Sequence, residues 1–176
     1  MQKIILTFGI IAGVIVSALM LISIQFTGET IDFNSAEFLG YLSMIVALST
    51  IFIGIKNYRD NEMNGTISFA KAFQVGLLIT LVASFIYVSS WMIYINTSDT
   101  DFTESYSEYL KEELEKSAES QEVIDARLAE IENFSELYKN PFIQIGYTFL
   151  EIFPVGLLVS LIAAILLKRK VSANPL

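Results

Sequence analysis

Apolar residues are not spread evenly along the chain but are gathered into four long runs. These runs cover residues 4–26, 38–55, 69–95 and 142–167. Each run is long enough to cross a hydrocarbon core of roughly 30 Å at about 1.5 Å per residue in an α-helix. Because no backbone amide can stay unpaired in lipid, each run is predicted to be a membrane-spanning helix.

The segment between the third and fourth runs, residues 97–140, has a different pattern. Apolar side chains recur there at helical spacing, which indicates an amphipathic helix. The stripe weakens around 117–121, so the pattern predicts either two helices or one long helix with a kink. Two helices would let their apolar stripes face each other as a hairpin. The stripe consists of Tyr106, Leu110, Leu114, Ile124, Leu128, Ile131, Phe134 or Ser135, and Tyr138.

These patterns predict an all-α fold with a single integral membrane domain over residues 1–176. Its expected form is a four-helix transmembrane bundle with an extracytoplasmic helical insertion between helices 3 and 4. The length of 176 residues fits one domain. The insertion carries thirteen of the nineteen acidic residues and four of the eleven basic ones, which gives residues 99–139 a net charge of −9.

Basic residues predict how the spans are oriented. The first connection has no Lys or Arg and the third is acidic, whereas the chain start, the second connection and the region after the fourth span are basic. Because Lys and Arg are enriched on the cytoplasmic side, both termini and the second connection are predicted to be cytoplasmic. The residues concerned are Lys3, Lys56, Arg59, Lys71, Lys168, Arg169 and Lys170.

The amino-acid inventory excludes several kinds of chemistry. The chain has no Cys and no His, which removes thiolate nucleophiles, Ser–His pairs and the usual zinc and haem ligands. The acids of the insertion form no constellation aimed at one point. We therefore expect no metal site, no cofactor and no enzymatic activity. An acidic surface repels phosphates, so nucleic acid is not an expected partner.

One acid, Glu151, falls deep inside an apolar run and marks a candidate intramembrane polar site. Pro154 follows three residues later, and its ring displaces the carbonyl one turn earlier from its helical hydrogen bond. Gln144 and Tyr147 share the face of Glu151. The two leading interpretations are that Glu151 is a protonated group that hydrogen-bonds a neighbouring helix, or that it binds a proton or cation in function. In a third interpretation, Glu151 reaches the water on the outer side.

Two further sets of residues are candidates for contacts. Gly9, Gly13 and Ser17 form a small-residue stripe that lets helices approach closely, either within the chain or in a dimer. The basic residues Lys56, Arg59 and Lys71 are candidates for contacts with anionic lipid head groups, with a cytoplasmic partner or with an anionic ligand.

Several stretches resemble one known family. They are 54–60 (GIKNYRD), 65–73 (GTISFAKAF), 76–79 (GLLI) and 149–158 (FLEIFPVGLL). With the number of spans and the long third connection, they resemble domain-of-unknown-function family 4199, which comprises small bacterial integral membrane proteins of unassigned activity. The resemblance implies a multi-pass protein of the bacterial inner (plasma) membrane. It supplies no substrate, cofactor or catalytic residue.

The sequence leaves two functions open. The leading expectation is a non-enzymatic accessory or interaction subunit, whose partners are the lipid bilayer and another membrane protein or a second copy of the chain. The alternative is a small carrier or channel that uses Glu151 for a proton or cation.

Overall fold

The computed structural model describes residues 1–27, 33–98 and 102–169. The all-α prediction is confirmed: these residues form helices and no strand, and an isolated β-bridge joins Ile67 and Arg169. The helices are α1 (Gln2–Phe26), α2 (Phe33–Leu48), α3 (Thr50–Glu62), α4 (Phe69–Thr97), α5 (Phe102–Glu115), α6 (Gln121–Tyr138) and α7 (Pro141–Leu167).

Four helical stretches are long and apolar enough to cross a membrane, as the hydropathy pattern predicts. They are Gln2–Phe26, Phe33–Glu62, Phe69–Thr97 and Pro141–Leu167, of 25 to 30 residues each. A large part of each stretch is not buried inside the protein. Apolar surface of this extent is what a bilayer covers in a membrane-spanning bundle.

The second stretch differs from the uninterrupted run that the sequence predicts. It is divided into α2 and α3 at Ser49. The Ser49 hydroxyl donates a hydrogen bond to the Val46 carbonyl at 2.6 Å, and the Thr50 hydroxyl donates to the Ala47 carbonyl at 2.8 Å. Hydroxyl side chains that bond the preceding turn compete with the helical ladder and bend helices. Two such residues in succession account for the break.

The chain divides into two compact units, which we call unit 1 and unit 2. Unit 1 contains Met1–Ser89 and the chain from Phe149 onward, and unit 2 is Ser90–Thr148. The core of unit 1 is apolar and is drawn from α1, α2, α3, α4 and α7. Its largest fully buried apolar side chains are Met44, Leu48, Ile51, Ile55, Ile79, Ile152, Val16 and Val75.

Three sets of contacts join chain segments at one end of unit 1. We call this end the basic end. The Met1 amino group forms an ion pair with Glu62. The backbones of Ile67 and Arg169 exchange two hydrogen bonds of 2.9 Å. Arg59 donates to the Leu167 carbonyl at 3.4 Å. The start of α1, the connection from α3 to α4 and the end of α7 therefore meet at the same end.

Unit 2 contains α5 and α6, which pack as a helical hairpin. The break between them covers residues 116–120, close to where the apolar stripe weakens. The Ser107 and Ser135 hydroxyls are 2.7 Å apart, and Leu114 is buried. On α6 the acids are exposed, and the partly buried residues are Ile124, Leu128, Ile131, Ser135 and Tyr138. The hairpin thus partly buries its apolar stripes and presents its charges to the outside.

Three features of the sequence predictions lie outside the described residues. They are Lys170, part of the first connection (28–32) and the acids at 99–101.

Candidate functional site

Helices α4 and α7 cross very closely within unit 1. A Cβ added at Gly76 would lie 2.9 Å from the Ser160 Cβ, and one added at Gly156 would overlap the Thr80 side chain. The hydroxyl residue of one helix thus packs against the glycine of the other: Ser160 against Gly76, and Thr80 against Gly156. The Thr80 and Ser160 oxygens are 3.0 Å apart and share a hydrogen bond, and both side chains are fully buried.

The sequence reading did not single out this crossing, although a signal for it exists. Gly76 and Thr80, and likewise Gly156 and Ser160, are separated by three residues, which is the spacing of small residues at close helix contacts. The predicted stripe on α1 makes a similar contact. A Cβ at Gly9 would lie 2.6 Å from the Val82 Cβ.

Gly13 and Ser17 continue the α1 stripe. A Cβ at Gly13 would lie 2.8 Å from the Ile86 Cβ, so this stripe contacts α4 of the same chain. Ser17 is buried, and its hydroxyl has no hydrogen-bond partner among the described residues; the same holds for Ser84 on α4.

Glu151 lies one third of the way along α7, and its side chain is exposed on the surface of unit 1. The buried Tyr87 of α4 donates a hydrogen bond to the Glu151 Oε1 across 3.5 Å. This separation is long for a hydroxyl donor, so the bond is weak. A carboxyl in an apolar span therefore has one nearby phenol and an open side.

Two residues of α2 contribute to the surroundings of Glu151. Glu37 and Tyr41 lie within electrostatic range of it, and both are exposed. Glu37 was missed because the predicted apolar run begins at residue 38, whereas α2 begins at Phe33. Helix α2 therefore brings a second carboxyl toward Glu151. The polar surroundings of Glu151 are thus the Glu37 carboxyl and the phenols of Tyr41 and Tyr87, from helices α2 and α4 of unit 1.

The other predicted members of the polar site lie on α7 with different surroundings. Pro154 is inside the helix, which continues through it to Leu167. Within unit 2, Tyr147 packs edge-to-face against Phe134 with ring centroids 5.1 Å apart. The Gln144 carbonyl accepts a hydrogen bond from the Thr148 hydroxyl at 2.8 Å. Tyr147 therefore belongs to an aromatic cluster of unit 2.

The three basic residues that were predicted to make contacts differ in whether their side chains have partners within the protein. Arg59 is engaged by Asp60, at 2.7 and 3.2 Å, as well as by the Leu167 carbonyl. Lys71 donates to the Gln74 side chain at 3.0 Å. Lys56 is exposed and has no close ion pair or hydrogen bond within the described part of the chain.

Unit 2 has a surface cavity that is lined by both apolar and charged residues. A shallow cavity of about 390 Å³ lies between α5 and α6, and Leu110, Leu114 and Ile131 contribute apolar lining. Three glutamates and one arginine surround this apolar lining. Its charge is negative, as is that of the hairpin around it. The charged lining residues are Glu113, Glu119, Glu130 and Arg127.

No group of three or more Asp or Glu side chains within the described ranges is arranged to hold a metal ion. The family model described as "Protein of unknown function (DUF4199)" matches residues 7–169 of the chain. No curated protein and no solved structure matches it.

Proposed function

Since the chain belongs to the DUF4199 family, we propose that it is a multi-pass protein of the bacterial inner membrane and a non-enzymatic accessory or interaction subunit. The observation that carries this proposal is unit 2. It is a separate compact unit whose hairpin partly buries its apolar stripes and exposes a dense acidic surface. A surface of that charge attracts cationic partners and repels anionic ones.

The proposed orientation has both termini in the cytoplasm and unit 2 outside. The basic end supports it, because the start of α1, the α3–α4 connection and the end of α7 meet there with their Lys and Arg residues. Cytoplasmic connections of membrane proteins are enriched in these residues.

Site-specific photocrosslinking tests the subunit role. A photoreactive residue at Val123, on the exposed side of α6, should give one adduct of defined mass with another protein in intact membranes. The same residue at Ile162, which is exposed on α7, serves as the control and should give mainly lipid adducts. Substituting Glu119, Glu122, Glu130 and Glu132 by Gln should remove the Val123 adduct, as should high salt, because exposed charges are screened.

An adduct that persists in the neutralised variant and at high salt would contradict an electrostatic partner site. Val123 adducts with lipid alone would contradict the subunit role itself.

The surroundings of Glu151 favour a second candidate, a small carrier or channel for a proton or cation. Inserting a carboxyl into the membrane within an apolar span costs on the order of 3 kcal/mol on insertion scales. A functional role for Glu151 is therefore expected. The second carboxyl, Glu37, and the phenols Tyr41 and Tyr87 supply further proton-binding oxygens.

Glu151→Gln separates the two interpretations of this residue. Gln keeps the shape and a hydrogen-bonding end, so thermal stability should be nearly unchanged in either case. Glu151→Leu should cost about 1–2 kcal/mol if the residue is an interhelical hydrogen-bonding group. A stable Glu151→Gln protein that has lost its cellular phenotype would support the carrier. A stable protein with a normal phenotype would count against it.

A further inference from the structure

The basic end of unit 1 carries two kinds of charged residues. Some are tied to partners in the fold: Asp60 to Arg59, and Glu62 to the Met1 amino group. Others are exposed and have no close ion pair or side-chain hydrogen bond in the described part of the chain. These free cations near α3 and α7 are Lys56, Lys168 and Arg169.

The free cations lie on segments that are joined to one another at the basic end. Arg59 joins the end of α3 to the Leu167 carbonyl at the end of α7. Arg169 is fixed by its two backbone hydrogen bonds to Ile67. Both Lys56 and Arg169 lie within electrostatic range of Asp60. Because Asp60 is paired with Arg59, Lys56 and Arg169 remain available for another anion.

Apolar surface continues from these cations along the same helices. Ile53, one turn before Lys56 on α3, is 57% exposed, and Leu166, just before Lys168, is 68% exposed. A ligand that fits both features has an anionic head and long apolar chains. A phospholipid has this form, with its phosphate at the helix ends and its acyl chains along the span.

We infer that the basic end is a binding site for an anionic phospholipid, in which Lys56 and Arg169 contact the phosphate and Lys168 adds charge nearby. Exposed apolar residues of α3 and α7 hold the acyl chains. This assignment is independent of the partner of unit 2. It differs from the sequence-based choice of Lys56, Arg59 and Lys71, because Arg59 and Lys71 have partners within the protein.

Lipid binding to the full-length protein tests the site. The detergent-solubilised protein is titrated with phosphatidylglycerol, and its melting temperature and retained lipid are measured by thermal unfolding and native mass spectrometry. Phosphatidylglycerol should raise the melting temperature more than phosphatidylcholine, which is neutral overall. Soluble glycerol phosphate should have no effect, because it lacks the acyl chains.

The double variant Lys56→Gln/Arg169→Gln should bind phosphatidylglycerol about 25-fold more weakly, since each basic residue near a charged lipid surface contributes about fivefold. Lys56→Arg/Arg169→Lys keeps the charges and should keep the binding. The matched control is Lys111→Gln/Lys116→Gln, which removes the same charge from unit 2 and should change nothing.

Three outcomes would overturn the assignment. They are equal binding of the two lipids, unchanged binding by the double Gln variant, and an equal loss in the unit 2 control. If the double Gln variant does not fold, the charge-keeping variant decides: loss of lipid preference in a folded Lys56→Arg/Arg169→Lys protein would also reject the site.

Discussion

Single residues set the distance between α4 and α7. Gly156 and Gly76 have no side chain where Thr80 and Ser160 approach, and the two hydroxyls bond each other at the centre of the contact. In a bilayer, helices gain little from burying apolar surface against each other, so close packing and hydrogen bonds carry the association. These four residues are therefore expected to contribute more to stability than larger apolar residues on the lipid side.

Gly156→Ala tests this expectation. The added methyl group would overlap the Thr80 side chain, so the helices must separate, and overpacking of this kind costs about 1–3 kcal/mol. Thermal unfolding in detergent should show a lower melting temperature. Thr80→Ala in the same chain should restore part of it by removing the atoms that clash.

The control for this prediction is Gly146→Ala on the same helix. No atom lies within 4 Å of the position of its added methyl group, and Ala favours helix over Gly. This variant should be at least as stable as the parent protein. Equal effects of the two substitutions would contradict a packing role for Gly156.

Among the elements, the α5–α6 hairpin has the clearest division between a buried and a charged face. Leu114 is 9% exposed, whereas Leu137 is 60% exposed. The apolar spacing along each helix predicts this division, because residues three or four apart share one side of a helix. Both residues are leucines in the same hairpin, so they provide a matched pair for substitution.

Leu114→Asp should open the hairpin. Burying a charge without a partner is costly, and truncating a buried Leu alone costs about 2–5 kcal/mol. Limited proteolysis of the full-length protein should then cut between residues 102 and 138 faster than in the parent. Leu137→Asp should leave the rate unchanged, and equal acceleration by both would mean that the two faces are not distinguished.

For the whole molecule, the distribution of charge predicts which side of the membrane each part faces. The chain has no cysteine, so a single introduced cysteine is its only site for a thiol reagent. Ser120→Cys, in the hairpin, should react with an impermeant thiol reagent in intact cells. Asn61→Cys, at the basic end, should react only after the membrane is opened. Labelling of Asn61→Cys from outside would reverse the proposed orientation.

The long helices could be predicted from the sequence, but the contacts between residues of different helices could not. Hydropathy predicts the four long helices because lipid requires long apolar runs, and the stripe predicts that the insertion is helical because its period is helical. The break at Ser49 could not be predicted from hydropathy, since Ser and Thr interrupt a run only slightly. The approach of Glu37 to Glu151 depends on how helices far apart in sequence pack, and hydropathy carries no such information.

The reciprocal contact between α4 and α7 also has an evolutionary consequence. Positions 76 and 160 occupy one shared space, as do 156 and 80, and each space holds one hydroxyl side chain opposite a glycine. A larger residue at one position of a pair is tolerable only when the other becomes smaller. In an alignment of relatives, the combined volume within each pair should therefore vary less than the volume at either position. Independent drift of the paired positions would show that relatives cross these helices differently.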